Sequence, residues 1–351
     1  MTLSMVVAQV FLLGLVGVLE GQSLVPAVFF FGDSIFDAGN NNHLPTLVKA
    51  NFPPYGRDFI NHSATGRFCN GKLAIDFIVE ILGFDAYPQA YLSKHATGDN
   101  LLTGANFASA ASGYLDATAA LYKSISLTQQ LRYYKEYQSK LKIVAQSASA
   151  NVTNIISGSL YIISAGNSDY LQNYYINPLV SLAFTPDQFA DLLVQSCTTF
   201  VQDLYRLGAR RIGVTSLPPL GCLPAAITIY GFGSNDCVSR LNNDSLNFNK
   251  KLEAAGEALK KAHPDLKLVV FDIYNPLLDL IKNPGNNGFF ESRRACCGTG
   301  TIETSILCNE ITPGTCANAT GYVFWDSFHP SEAANEVLFE SLFLQGISLV
   351  F

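Results

Sequence analysis

Short continuous apolar runs alternate with helix-periodic stretches along almost the whole chain. Runs at 27–31, 104–108, 160–163, 211–215 and 267–271 predict strands buried on both faces, where no polar alternation is needed. Between them, 73–82 reads as a helix, and Leu127, Leu131, Tyr134, Leu141 and Val144 recur at helical spacing behind Ser126 as a cap. Pro186 fits the first turn of a helix ending at Gly208, and 241–262 makes another, closed by Pro264. A last helix is predicted from Pro330 to about residue 344, with His329 at its N-cap. Such alternation favours a mostly parallel sheet covered by helices on both faces. No linker, repeat or low-complexity segment divides it.

The chain has 351 residues, 48% hydrophobic and only 14% charged, enough to bury a large core. A net charge of -6 and the lack of any Lys/Arg-rich run argue against a nucleic-acid partner. Residues 5–19 are apolar and lead into small residues at Gly21 and Ser23, which predicts a signal peptide over 1–23 and a mature domain over 24–351 without a transmembrane anchor. No Lys or Arg precedes that run, so a membrane anchor or a buried first helix stands as the other reading. Four glycosylation sequons, at Asn61, Asn151, Asn243 and Asn318, agree with secretion. So do eight cysteines: Cys222 and Cys237 bracket one loop and are candidates to close it, while Cys296, Cys297, Cys308 and Cys316 crowd another. Their spacing fits no zinc pattern, and no metal is expected.

Chemistry is expected at the carboxyl ends of the strands, where open α/β sheets hold their ligands. The first strand delivers Gly32-Asp33-Ser34, the second 109–113 ending in Gly113, the third Ser164-Ala165-Gly166-Asn167-Ser168-Asp169. Ser34 is placed to act as a nucleophile, with helix capping by Asp33 or Ser34 as the bland alternative. Near the C-terminus, Asp326 stands three residues before His329. At that spacing a carboxylate reaches the near ring nitrogen and leaves the far one free as a base. His43, His62, His95 and His263 read as surface residues, and Asp37 with Asn40, Asn41 and Asn42 as braces of the nucleophile loop. Tyr114, Tyr122, Tyr174 and Tyr175 are candidates for a pocket wall, with core or surface their commoner fate.

Together these residues resemble the plant GDSL esterase/lipases of the SGNH hydrolase superfamily. The resemblance rests on Phe31-Gly32-Asp33-Ser34-Ile35-Phe36-Asp37, Pro53-Pro54-Tyr55-Gly56, Gly66-Arg67-Phe68-Cys69-Asn70-Gly71, Asn106-Phe107-Ala108-Ser109, Leu217-Pro218-Pro219-Leu220-Gly221-Cys222, Ala295-Cys296-Cys297-Gly298 and 322–330, in that order. It implies a three-layer α/β/α sandwich around a five-stranded, mostly parallel, flavodoxin-like sheet. It further implies hydrolysis of carboxylic esters, of lipid or glycan type, through an acyl-enzyme and without a cofactor. Ser34 would be the nucleophile, His329 the base and then acid, and Asp326 the orienting carboxylate; the protein is expected to be a monomer. The oxyanion hole would draw on the Ser34 N–H, an N–H near Gly113 and a side chain of the third block.

Two departures stand out. Ile35 replaces the leucine of the name-giving motif and is expected to pack silently below the nucleophile. In the third block the family's Gly-x-Asn-Asp becomes Gly166-Asn167-Ser168-Asp169. Either Asn167 donates from one place early, or the Ser168 hydroxyl donates instead, or that donor is weakened. The alternatives to hydrolysis are acyl transfer from the same acyl-enzyme and a binding protein whose catalysis has decayed.

Overall fold

A computed structural model describes residues 23–351. The expected signal peptide therefore falls, but for Ser23, outside the described residues. Five parallel strands form one sheet in the order β2-β1-β3-β4-β5: β1 Val28–Gly32, β2 Gly104–Asn106, β3 Leu160–Ser164, β4 Arg211–Thr215 and β5 Lys267–Phe271. The expected second strand is shorter than its apolar run. Beyond it, Phe107 N–H and Ser109 N–H still donate to Phe30 and Gly32 of β1, so the chain stays alongside.

The alternating side chains of β1 and β3 separate two cores, as a strand's period of two requires. Phe29, Phe31, Tyr161 and Ile163 pack into a large cluster with the long helices α2 Leu127–Ser147, α3 Pro186–Arg206 and α4 Ser239–Ala262. Val28, Phe30, Leu160 and Ile162 face the other way, toward α1 Ala74–Ile81 and α6 Glu332–Val350. Between α4 and α6, α5 Tyr274–Lys282 packs on the latter. The result is a three-layer α/β/α sandwich with helices on both faces. Caps follow the sequence: Ser126 Oγ accepts from Gln129 N–H, and Thr185 forms a capping box with Gln188 ahead of Pro186.

The last helix differs from expectation. Its N-cap is Ser331, whose Oγ accepts from Ala334 N–H and donates to the Tyr322 carbonyl, and it runs on to Val350. Trp325 N–H donates to the His329 carbonyl, and Phe324 bridges Pro330 antiparallel, which holds 324–330 as a closed loop. His329 is therefore two residues short of the cap.

That loop leaves a small parallel pair, β6 Glu291–Ala295 with β7 Tyr322–Phe324. Cys296–Cys316 and Cys297–Cys308 are disulfide-bonded just beyond β6, and Cys297 N–H donates to the Trp325 carbonyl. A third bridge joins Cys222 to Cys237. No helix among the described residues is long and apolar enough to cross a membrane. Asn61, Asn151, Asn243 and Asn318 are all exposed.

Candidate active site

Ser34 leaves the sheet through a turn that only glycine permits. Gly32 has φ near 126°, and a Cβ there would lie 1.8 Å from the Ser164 carbonyl oxygen of the neighbouring strand. The fully buried Gln130 of α2 grips that glycine from both sides, accepting from its N–H at 2.9 Å and donating to its carbonyl at 2.9 Å, and it also reaches Ser112 Oγ. Sequence reasoning missed Gln130. The signal was present, since it lies among the apolar positions of its helix, where a glutamine needs a buried partner.

The first turn is tied to the second block by acids and amides. Asp37 accepts from Gly39, Asn40 and Ala110 N–H, and Asn40 donates to the carbonyls of Asn106 and Ala108. Asn41 donates to Val48 and Ala110, while Asn42 donates to Thr65. Asp37 and these asparagines are braces. Ile35 is half-buried against the second core and also lines the cavity beside Ser34, so it is not confined to packing below the nucleophile.

Ser34 Oγ lies 2.7 Å from His329 Nε2, and His329 Nδ1 lies 2.7 Å from Asp326 Oδ1. Asp326 is wholly buried and His329 nearly so. Five donors converge on that carboxylate. Besides the ring, Phe328 and His329 N–H reach Oδ1, and Tyr55 OH at 2.7 Å and Thr304 Oγ at 3.1 Å reach Oδ2. Tyr55 OH in turn accepts from Ser305 N–H. Burial and the adjacent carboxylate push the Tyr55 phenol well above its ordinary value, so it stays a donor. Tyr55 lies 271 positions from Asp326, and nothing in the sequence pairs the two.

The third block turns the chain toward Ser34. Asn167 Nδ2 donates to Asp33 Oδ2 at 3.1 Å, on the residue before Ser34. Ser34, Asn167, Ser168 and His329 all line one cavity. Gly113 packs behind them, where a Cβ would meet the Asp169 carboxylate at 2.3 Å. Asp169 accepts from Tyr114 and Leu115 N–H and from Thr118 Oγ, which locks the second and third blocks together. Burial raises Asp33 and Asp37 to about 6 and Asp169 to about 7, against the stabilising pull of these hydrogen bonds.

His43, His62 and His95 are exposed, and His263 stacks on Tyr205 at the surface, away from Ser34. Cys296, Cys297, Cys308 and Cys316 are all in bridges. Tyr114, Tyr122, Tyr174 and Tyr175 stay outside the cavity lining, Tyr114 and Tyr174 being buried in the core instead.

A three-layer α/β/α sandwich that sets a serine, an imidazole and a buried carboxylate in hydrogen-bond contact at the carboxyl edge of its sheet has the arrangement of a serine hydrolase. Residues 28–342 match the GDSL-like Lipase/Acylhydrolase family. The chain is 63% identical over 335 residues to GDSL esterase/lipase At5g03810 of Arabidopsis thaliana, covering 95% of this chain and 94% of that protein. It is 60% identical over 328 residues to GDSL esterase/lipase APG of the same plant, covering 93% and 92%. The chain belongs to the GDSL-like lipase/acylhydrolase family and is a carboxylic ester hydrolase of the SGNH type.

Proposed function

We propose that the protein is a secreted serine esterase, working as a monomer, that acts through an acyl-enzyme on Ser34. The observation that carries this reading is the unbroken line from Ser34 Oγ through His329 to Asp326, with both contacts at 2.7 Å. Ser34 Oγ attacks the ester carbonyl carbon while His329 Nε2 takes its proton. The tetrahedral adduct collapses, the alkoxide leaves with that proton as the free alcohol, and Ser34 keeps the acyl group. Water then attacks the acyl carbon, giving its proton to His329; the carboxylic acid leaves as Ser34 recovers a proton. Asp326 holds the ring and stabilises the imidazolium that forms in each half.

The oxyanion is assigned to the N–H groups of Ser34 and Gly113, neither of which donates to a protein acceptor among the described residues, and to the Asn167 amide. Asn167 is preferred to Ser168 because its Nδ2 is already anchored at the nucleophile's turn, with one N–H engaged by Asp33 and a second to spare. Secretion is supported by the three disulfides and the four exposed sequons.

Turnover of a short-chain nitrophenyl ester tests the reading. Ser34→Ala is expected to lose about 10³-fold or more of kcat, as in other serine triads. An unchanged rate would put the nucleophile elsewhere. Asn167→Ala is expected to cost on the order of 10²- to 10³-fold and Ser168→Ala far less; the reverse order would move the donor to Ser168.

A further inference from the structure

The cavity at Ser34 is not a cup but a long apolar channel, with a volume of about 130 Å³. Its floor is one face of the sheet: Leu160, Ile162 and Ser164 alternate along β3, with Thr215 and Phe271 beside them. Its roof is two helices. Ala74, Ile78 and Leu82 stand at four-residue spacing on and just past α1, and Leu338, Leu342, Gly346 and Leu349 follow one face of α6. Ser164 lies at the end of β3 beside Ser34 and His329, and Leu160 at the opposite end, so the floor extends four residue steps, or about 13 Å, away from the nucleophile.

The lining carries no Asp, Glu, Lys or Arg, and His329 at the mouth is its one ionisable group. Thr215 Oγ donates to Ser164 Oγ, Ser216 Oγ accepts from Ile273 N–H and Asn335 Nδ2 donates to the Lys72 carbonyl, while Asn167, Ser168 and Gln172 follow the carboxyl end of β3. Well-packed cores do not leave such space, because unfilled apolar volume costs stability. Here α6 is apolar on most of its surface and yet leaves its inner face half uncovered, with Leu342 and Phe343 neither buried nor exposed. An apolar space that opens on the reacting hydroxyl is room for part of the substrate.

We infer that the channel holds the acyl tail of the ester, and that the preferred substrates carry an unbranched aliphatic acyl chain of roughly ten carbons, at about 1.3 Å of extended chain per 1.5 Å carbon–carbon bond. The inference rests on Ser34 being the acylated residue, since only then does the carbonyl sit at the channel's mouth with the tail inside. The alcohol half faces out and is read weakly. Charged acyl groups are disfavoured, because the lining offers no Lys, Arg, Asp or Glu to pair with them.

A series of nitrophenyl esters from two to fourteen carbons tests this on the full protein. kcat/KM is expected to climb at least tenfold from the two-carbon to the ten-carbon ester, well inside the roughly fourfold available per methylene taken out of water. Ile78→Trp and Leu342→Trp obstruct the channel midway from opposite walls. Each is expected to lower the ratio of ten-carbon to two-carbon kcat/KM by about tenfold or more. A preference for two to four carbons with that ratio unmoved in both variants would overturn the channel assignment. Calorimetry of decanoate and butyrate on Ser34→Ala separates the two readings. Decanoate binding that is absent for butyrate and lost in Ser34→Ala/Ile78→Trp supports the channel even where no serine acylation is found, and no decanoate binding overturns it.

Discussion

Asp326 is oriented by residues that the linear sequence keeps far apart, and its surroundings say which side chains matter beyond the Ser34 and His329 pair. Tyr55 and Thr304 satisfy Oδ2, leaving Oδ1 to the imidazole and two backbone N–H groups. Tyr55→Phe removes one charge-assisted hydrogen bond and strands the Ser305 N–H, a loss of about 1–3 kcal/mol. Because Tyr55 acts through Asp326 and lies outside the cavity lining, kcat is expected to fall about tenfold with KM little changed, while a purely structural role would lower only the melting temperature. A raised KM at constant kcat would contradict the positioning role. Asp33 and Asn167 are coupled in the same way at the other side of Ser34, through a single 3.1 Å contact.

At the scale of elements, the segment carrying Asp326 and His329 is fixed by a disulfide-bonded loop rather than by a helix start. Cys297 N–H to the Trp325 carbonyl and Ser327 N–H to the Glu303 carbonyl clamp it from one side, and the Ser331 cap clamps it from the other. Reduction of the Cys296–Cys316 and Cys297–Cys308 bridges is therefore expected to lower activity before global unfolding, measured as ester turnover against melting temperature in increasing thiol reductant; typical single bridges are worth about 2–4 kcal/mol. Parallel loss of both signals would show that the loop has no separate role. Strands β1 and β3 were legible because a strand buried on both faces writes itself as a near-continuous apolar run, and β4 and β5 by the shorter apolar stretches behind Arg211 and Lys267. The start of α6 was not. Pro330 and Ser331 both suit a helix entrance, and only the Trp325 to His329 backbone bond, made in three dimensions, decides for Ser331. The Asp326 and His329 pair was legible from its three-residue spacing, but its meeting with Ser34, 295 positions away, was expected only from the family resemblance. Gln130 left only a trace, a polar residue among the apolar positions of α2, and Tyr55 and Thr304 left none, because a buried polar side chain is identified by its partner, and the partner is distant in sequence.

Over the whole molecule, three buried acids link folding to pH. Asp33 and Asp37 sit at about 6 and Asp169 at about 7, against roughly 4 in an unfolded chain. A carboxyl that is harder to ionise when folded binds protons preferentially in the fold. Its stabilising contribution is complete below about pH 4 and fades as pH rises through 6 to 7. The melting temperature is expected to rise as pH is lowered from 8 toward 5, and Asp169→Asn to flatten that slope; a slope unchanged by Asp169→Asn would contradict the assignment.

The apolar channel and the His329 ring meet at the Ser34 hydroxyl, the group to be acylated. Peptide mapping by mass spectrometry after reaction with a fluorophosphonate tests that role most directly. One phosphonyl adduct is expected, on Ser34, forming at least about 10³-fold more slowly in His329→Ala, the residual rate being that of a triad without its base. An adduct on another residue, or one on Ser34 that forms as fast without His329, would contradict it.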